Sequence, residues 1–242
     1  MSEVRFDHIA IAAHRMADGP PVLVGALGGR ATGEGGPSGA YTWGQWGFAG
    51  GGRLEILEPR GDDGFLHRFL AGHGPGVHHV TFVVPVLQKA CDRAVAHGYR
   101  IVGFDASDPS WAEAFLHPKE ALGIVVQIVE SLGAGGARRP WSAPAGPAST
   151  PPAVTIVGLR LRARSRERAD TQWRDILRGV RHDEADGTLV YRWPGSPMRI
   201  AVDVEPSNEE GPVAIEYMSE HAVSLPATPH PVLGVVFRRR SS

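Results

Sequence analysis

Alternation of apolar and polar residues marks most of the strands in this chain. In residues 4–12, Ile9 and Ile11 fall on one side and His8, Ala10 and Ala12 on the other, the two-residue period of a strand. Residues 41–48 and 53–58 read the same way, joined by Gly50-Gly51-Gly52. Residues 15–28 carry a weaker helical pattern, with Pro20-Pro21 admissible only near a helix start, and Gly28 to Gly36 reads as a flexible loop. Phe65 to Leu70 predicts a short helix stopped by Gly72, and 79–84 a strand. Leu87 to His97 predicts a helix whose stripe is Leu87, Ala90, Cys91, Ala94 and Val95, with Gly98 as its stop. Strands are expected at 99–104, 114–117 and 124–129, so the order β-α-β-β-β occurs twice.

The two copies agree residue by residue. His8 recurs as His79, and Arg53-Leu54-Glu55-Ile56-Leu57-Glu58 recurs as Val125-Val126-Gln127-Ile128-Val129-Glu130. Residues 132–152, rich in Gly, Ala and Pro, read as a linker, which divides the chain into 1–131 with the two modules and 153–242 beyond. In the second part, strands are predicted at 154–161, 188–193, 198–204, 213–218 and 232–238, with a helix over 166–178. This is a third copy with part of a fourth, but Gly158 stands in the place of His8, Ala201 in that of Glu55 and Ala214 in that of His79. The scaffold repeats without the polar residues, so the module does not need them to fold.

A histidine early and a carboxylate or carboxamide late in each of two copies point to one shared ion. His8 and His79 share their strand faces with small residues, a face expected to line a cavity, while Ile9, Ile11, Val80 and Phe82 pack on helices. Glu55 and Gln127 sit inside apolar strands, where a polar group is costly without a partner. A divalent cation (Zn, Ni, Co, Mn or Fe) held by His8, Glu55, His79 and Gln127 would satisfy all four and leave positions open to substrate. His117 at a turn is a candidate acid or base and Lys119 an anion contact, with Trp111 and Glu113 on the same rim. Trp43 and Trp46 are candidate walls of a substrate pocket.

Four segments also carry a resemblance: Asp7-His8-Ile9-Ala10-Ile11-Ala12, Leu54-Glu55-Ile56-Leu57-Glu58-Pro59, Gly76-Val77-His78-His79-Val80 and Phe115-Leu116-His117-Pro118-Lys119. They resemble the vicinal oxygen chelate superfamily of glyoxalase I, methylmalonyl-CoA epimerase, extradiol dioxygenases and bleomycin-resistance proteins, and in particular its epimerase branch. The resemblance covers residues 4–130 and extends more weakly over 153–239. It implies an α+β fold, in which paired βαβββ modules form a curved mixed sheet around a metal cavity, with a degenerate additional module lacking metal ligands at the C-terminus. It places His8, Glu55, His79 and Gln127 at the four metal positions, the last of which is usually a glutamate. The register of the epimerase base falls near Gly39, where no carboxylate stands; Glu34 is the nearest and joins His117 as a catalytic candidate.

The expected activity is that of a metal-dependent isomerase or lyase that stabilises the enolate of a small carbonyl substrate. The alternatives are an extradiol-type dioxygenase using His8, His79 and Glu55, and a small-molecule binding protein of the bleomycin-resistance type. Composition narrows the partners. A net charge of −1 offers no attraction to nucleic acid, and no apolar run is long enough for a membrane span. Arg238-Arg239-Arg240 reads as a solvated basic tail. A single cysteine, Cys91, fits a cytoplasmic protein, and the exposed module edges predict a homodimer.

Overall fold

The computed structural model describes residues 3–131, 141–147 and 154–240 and is a mixed α+β protein with two sheets. In chain order, β1 is Arg5–Ala12, β2 Arg30–Ser38, β3 Tyr41–Gly47, β4 Arg53–Pro59, α1 Phe65–His73, β5 Gly76–Val83 and α2 Leu87–Ala96. There follow β6 Ile101–Asp108, β7 Trp111–Leu116, β8 Val125–Ser131, β9 Val154–Ala163 and α3 Arg166–Asp170. The last strands are β10 Val180–Asp183, β11 Leu189–Arg192, β12 Arg199–Val204, β13 Gly211–Ser219 and β14 Phe237–Arg239. One sheet has eight strands in the order β2-β3-β4-β1-β5-β8-β7-β6, the other six in the order β10-β11-β12-β9-β13-β14. No helix among the described residues is long and apolar enough to cross a membrane.

Several elements differ from their sequence reading. The glycine-rich stretch is no loop but part of β2, an edge strand that shifts register between Ala31 and Gly35, with Gly33, Gly35 and Gly36 at positive φ. Residues 15–28 hold a 3-10 turn at Met16–Asp18 and a wide-turned helix at Pro21–Ala26, closed by a bond from Leu27 N–H to the Val22 carbonyl. The helix read over 166–178 is α3 followed by a second such wide-turned helix at Thr171–Ile176. The basic tail is largely β14, where Glu216 pairs with Arg238 and Tyr217 with Arg239.

The chain falls into two compact units, each assembled from separate stretches: His8–His78 with Arg138–Val157 and Ala214–Ser242, and Met1–Asp7 with His79–Ala137 and Gly158–Val213. In the first, β4 pairs in parallel with β1 and antiparallel with β3, so Glu55 lies between Ala10 and Gln45. Ile9, Ile11, Leu54, Ile56 and Trp46 on one face are fully buried, beside Val22 and Leu23 of the Pro21–Ala26 helix. Approach there is close: a Cβ on Gly19 would lie 2.9 Å from Ile56 Cγ1. Part of the expected linker belongs to this packing. Trp141 meets Trp46 edge to face at 5.9 Å, over Gly44, where a Cβ would come within 2.1 Å of its ring. The other linker residues, 132–140 and 148–152, lie outside the described ones. On the opposite face, Leu66 and Leu70 of α1 pack with Ala10, Ala12 and Leu57, so these small residues belong to a packed cluster and not to the cavity wall expected of them.

In the second unit, β8 pairs in parallel with β5 and antiparallel with β7, with Gln127 between Thr81 and Phe115. Phe82, on the face of β5 opposite Thr81, stacks on Phe6 at 4.8 Å and meets Trp193 at 4.6 Å and Trp173 at 5.9 Å. All four rings are essentially buried, and burial of side chains this size contributes roughly 1.5–3 kcal/mol each.

The repeated glutamates that end β4 and β8 have matching structural tasks. Glu58 Oε2 accepts the Met16 backbone N–H at 2.8 Å, and Glu130 Oε2 that of Leu87 at 2.7 Å. Each satisfies the free amide that opens a turn or helix, and Glu130 also places negative charge at the positive end of α2.

Candidate metal centre

Register places the polar residues in both copies alike. His8 lies two residues before Ala10, the partner of Glu55, and His79 two residues before Thr81, the partner of Gln127. Strand alternation then turns each histidine to the same face as its acid or amide. His8, Glu55, His79 and Gln127 are all buried, at 3, 6, 6 and 8% exposure, well below what isolated polar side chains accept.

In the first copy, Gln45 completes the arrangement. Its Nε2 donates to Glu55 Oε2 at 2.9 Å and lies 3.3 Å from His8 Nδ1, while Glu55 Oε1 is 3.6 Å from His8 Nε2. Arg53 Nη1 donates to Gln45 Oε1 at 3.5 Å. One ligand atom from each of His8, Glu55 and His79 lies within 4.8 Å of the others, and among the described residues this is the set of acidic, histidine or cysteine side chains arranged to hold a metal. Two imidazoles and a carboxylate in a buried setting fit a first-row divalent ion. In the second copy, Gln127 Oε1 accepts from Thr81 Oγ1 at 2.6 Å and its Nε2 donates to Glu113 Oε2 at 2.8 Å.

His78 is set apart from its neighbour. Its ring packs against Phe65 at 5.4 Å and Phe69 at 4.9 Å, and burial lowers its pKa to about 4, against the opposing pull of Glu55, so it is neutral at physiological pH.

The other sequence candidates scatter. Trp43 shares the face of Gln45 and packs with the Ala10, Ala12 and Leu57 cluster under α1. Trp46, three residues from Trp43, turns to the other face and is wholly buried against Trp141, away from Glu55. Trp111 Nε1 donates to Glu113 Oε2 at 3.0 Å. His117 lies in the turn after β7, where Nδ1 accepts the Lys119 backbone N–H at 3.2 Å and stands 3.5 Å from Glu120; the Lys119 side chain is exposed. Glu34 is exposed on β2, 3.9 Å from Arg53. Two residues gain importance from the structure. Gln45 has an aromatic counterpart, Phe115, in the second copy, so the repeat gave it no emphasis; Glu113 was visible only as a rim residue beside Trp111.

Paired βαβββ modules with histidine on the first strand and an acid or amide on the last are the arrangement that the resemblance to the vicinal oxygen chelate superfamily implies. Residues 7–115 match the family model described as the Glyoxalase/Bleomycin resistance protein/Dioxygenase superfamily. A relative, the uncharacterized protein YqjC of Bacillus subtilis (strain 168), is 31% identical over 87 residues, 35% of this chain and 62% of its own length, so the chain matches less than two thirds of that relative. Among solved structures, a mutant of 4-hydroxymandelate synthase from Streptomyces coelicolor aligns with a TM-score of 0.62 at 12% identity, over 91% of this chain and 72% of that one. Methylmalonyl-CoA epimerase from Mycobacterium tuberculosis aligns with a TM-score of 0.47 at 21% identity, over 52% of this chain and 87% of that one.

Proposed function

We propose that the chain is a divalent-metal-dependent enzyme that removes a proton next to the carbonyl of a small substrate, as an isomerase or lyase of the glyoxalase and epimerase type. The reading rests on one observation: three buried ligand atoms, from His8, Glu55 and His79, within 4.8 Å of one another. Gln127, in matching register in the second copy, is the fourth ligand. A bound divalent ion supplies a Lewis acid that stabilises the negative charge of an enolate.

The protein's own groups do the rest. Gln45 holds the Glu55 carboxylate through its 2.9 Å bond, and burial of both histidines excludes bulk water from the centre. His117 is the proton donor: its Nδ1 accepts the Lys119 amide, so the neutral ring carries its proton on Nε2, from which it can be returned to the substrate. Glu34, exposed and facing Arg53, is the candidate acceptor. Trp43 and Trp111 flank the substrate, and Lys119 attracts an anionic group on it. The protein works as a cytoplasmic homodimer.

Elemental analysis of protein reconstituted with Zn, Ni, Co, Mn or Fe tests the reading. One equivalent of metal in the wild type and none in His8→Ala is expected, together with metal-dependent exchange of an α-proton for deuterium in a panel of 2-oxo acids and acyl thioesters. Wild-type protein that takes up no metal after reconstitution overturns it.

A further inference from the structure

Glu113 belongs to neither the repeat nor the ligand set, yet it touches the fourth ligand directly. Its Oε2 accepts from Gln127 Nε2 at 2.8 Å and from Trp111 Nε1 at 3.0 Å. On the other side of the amide, Gln127 Oε1 accepts from Thr81 Oγ1 at 2.6 Å. A carboxylate only accepts and an indole N–H only donates, whereas a glutamine amide has one end of each kind. Turned over, Gln127 would set its oxygen against the Glu113 carboxylate, acceptor against acceptor. The carboxylate therefore decides which way the amide faces, and it turns the oxygen toward Thr81, which shares a strand face with His79. Only that oxygen can ligate a hard or borderline cation.

We infer that Glu113 is a positioning residue that locks the Gln127 amide so that its oxygen, not its nitrogen, is offered to the metal. It also accounts for an amide rather than a second acid at position 127, since two carboxylates at this spacing repel. The inference rests on the metal-centre reading, and the test separates the two.

The experiment is a double-mutant cycle on the full chain, with Zn affinity measured by competition with a chromophoric chelator, the visible spectrum of the Co form as a coordination signature, and the melting temperature of the metal-free protein as a folding control. Glu113→Met removes the acceptor at nearly constant size, with Glu113→Ala in reserve should the first not fold. Either is expected to weaken Zn binding about tenfold, the lower end for loss of a group that orients a metal ligand. In a Gln127→Glu background both terminal atoms are oxygens and need no orienting, so the same change should weaken binding no further and should tighten it by relieving repulsion. Unchanged affinity in the Gln127 background, or an equal loss in both backgrounds, overturns the inference while leaving the metal centre standing. A wild type that binds no Zn overturns the metal centre and this inference together.

Discussion

The first and third copies of the module share a register and differ in what it carries. Ala10 stands opposite Glu55 in the one and Arg160 opposite Ala201 in the other, and the next strand places Gln45 and Val190 alike. Two residues before Ala10 is His8; two before Arg160 is Gly158. That glycine has φ +145, and a Cβ on it would lie 1.8 Å from the Arg199 carbonyl oxygen. The position has lost not only its imidazole but the backbone geometry that could carry one. Arg160, at the position of Ala10, makes an ion pair to Asp203 at 2.5 Å and a bond to Thr188 Oγ1 at 3.4 Å. The module thus keeps its register around an ion pair and apolar Val190 and Ala201. The buried histidine and glutamate of the first copy are an expense the fold does not require, which marks them as functional.

The largest test of that comparison is at Gly158. Gly158→Ala should cost at least about 3 kcal/mol in urea denaturation, because backbone must move to admit the methyl group. Gly187→Ala is the control: it shares a positive φ, +88, but has nothing within 4 Å of the added atom. Equal losses for the two would break the claim that backbone geometry closed the third copy to histidine. Gln45→Val gives the first copy the residue of the third and leaves Glu55 Oε2 without its 2.9 Å donor. A loss of about 1–2 kcal/mol is expected in metal-free protein, the worth of one hydrogen bond to a buried charged acceptor. The loss should shrink on adding Zn; one that ignores metal would argue that Gln45 only packs.

The smallest effect lies on α2 of the second copy, which meets the third copy through Arg93 Nε and the Ile176 carbonyl at 3.1 Å. Burial, with Asp92 adding to it, pushes the Cys91 thiol up to about 11. The folded chain therefore keeps this proton at pH values where the unfolded chain loses it. Its contribution to stability is complete below about pH 9 and is lost as the pH rises toward 11. Cys91→Ala should flatten that alkaline decline in the urea midpoint, and iodoacetamide should leave native Cys91 unmodified at pH 8 while labelling it in urea.

Alternation made β1, β3, β4, β5, β8 and β9 legible, because each buries at least one apolar face. It could not reveal β2: Arg30–Ser38 is an almost wholly exposed edge strand of glycine and polar residues, with no buried face to set a period. The wide-turned helices were blurred because their bonds depart from the 3.6-residue repeat. At the site, the repeat exposed His8, Glu55, His79 and Gln127, since all four recur in register. Gln45 and Glu113 recur nowhere, and only contacts identify them. For Trp46 the needed signal was present: residues three apart on a strand face opposite ways, so Trp43 and Trp46 could not both share a side with Gln45. That α1 would cover Ala10 and Ala12 depends on tertiary packing and has no trace in local pattern.

The glutamates at the ends of β4 and β8 also decide where this chain can be reopened. Each seals a closed span, between Met16 and Glu58 at a separation of 42 in sequence and between Leu87 and Glu130 at a separation of 43. A circular permutant with new termini at Asp62-Asp63 leaves both spans whole, whereas one opened at Gly50-Gly51 severs the first and spares the second. The chain has, in effect, a permitted seam between two clasped rings, and a gene rearranged along it would inherit both intact.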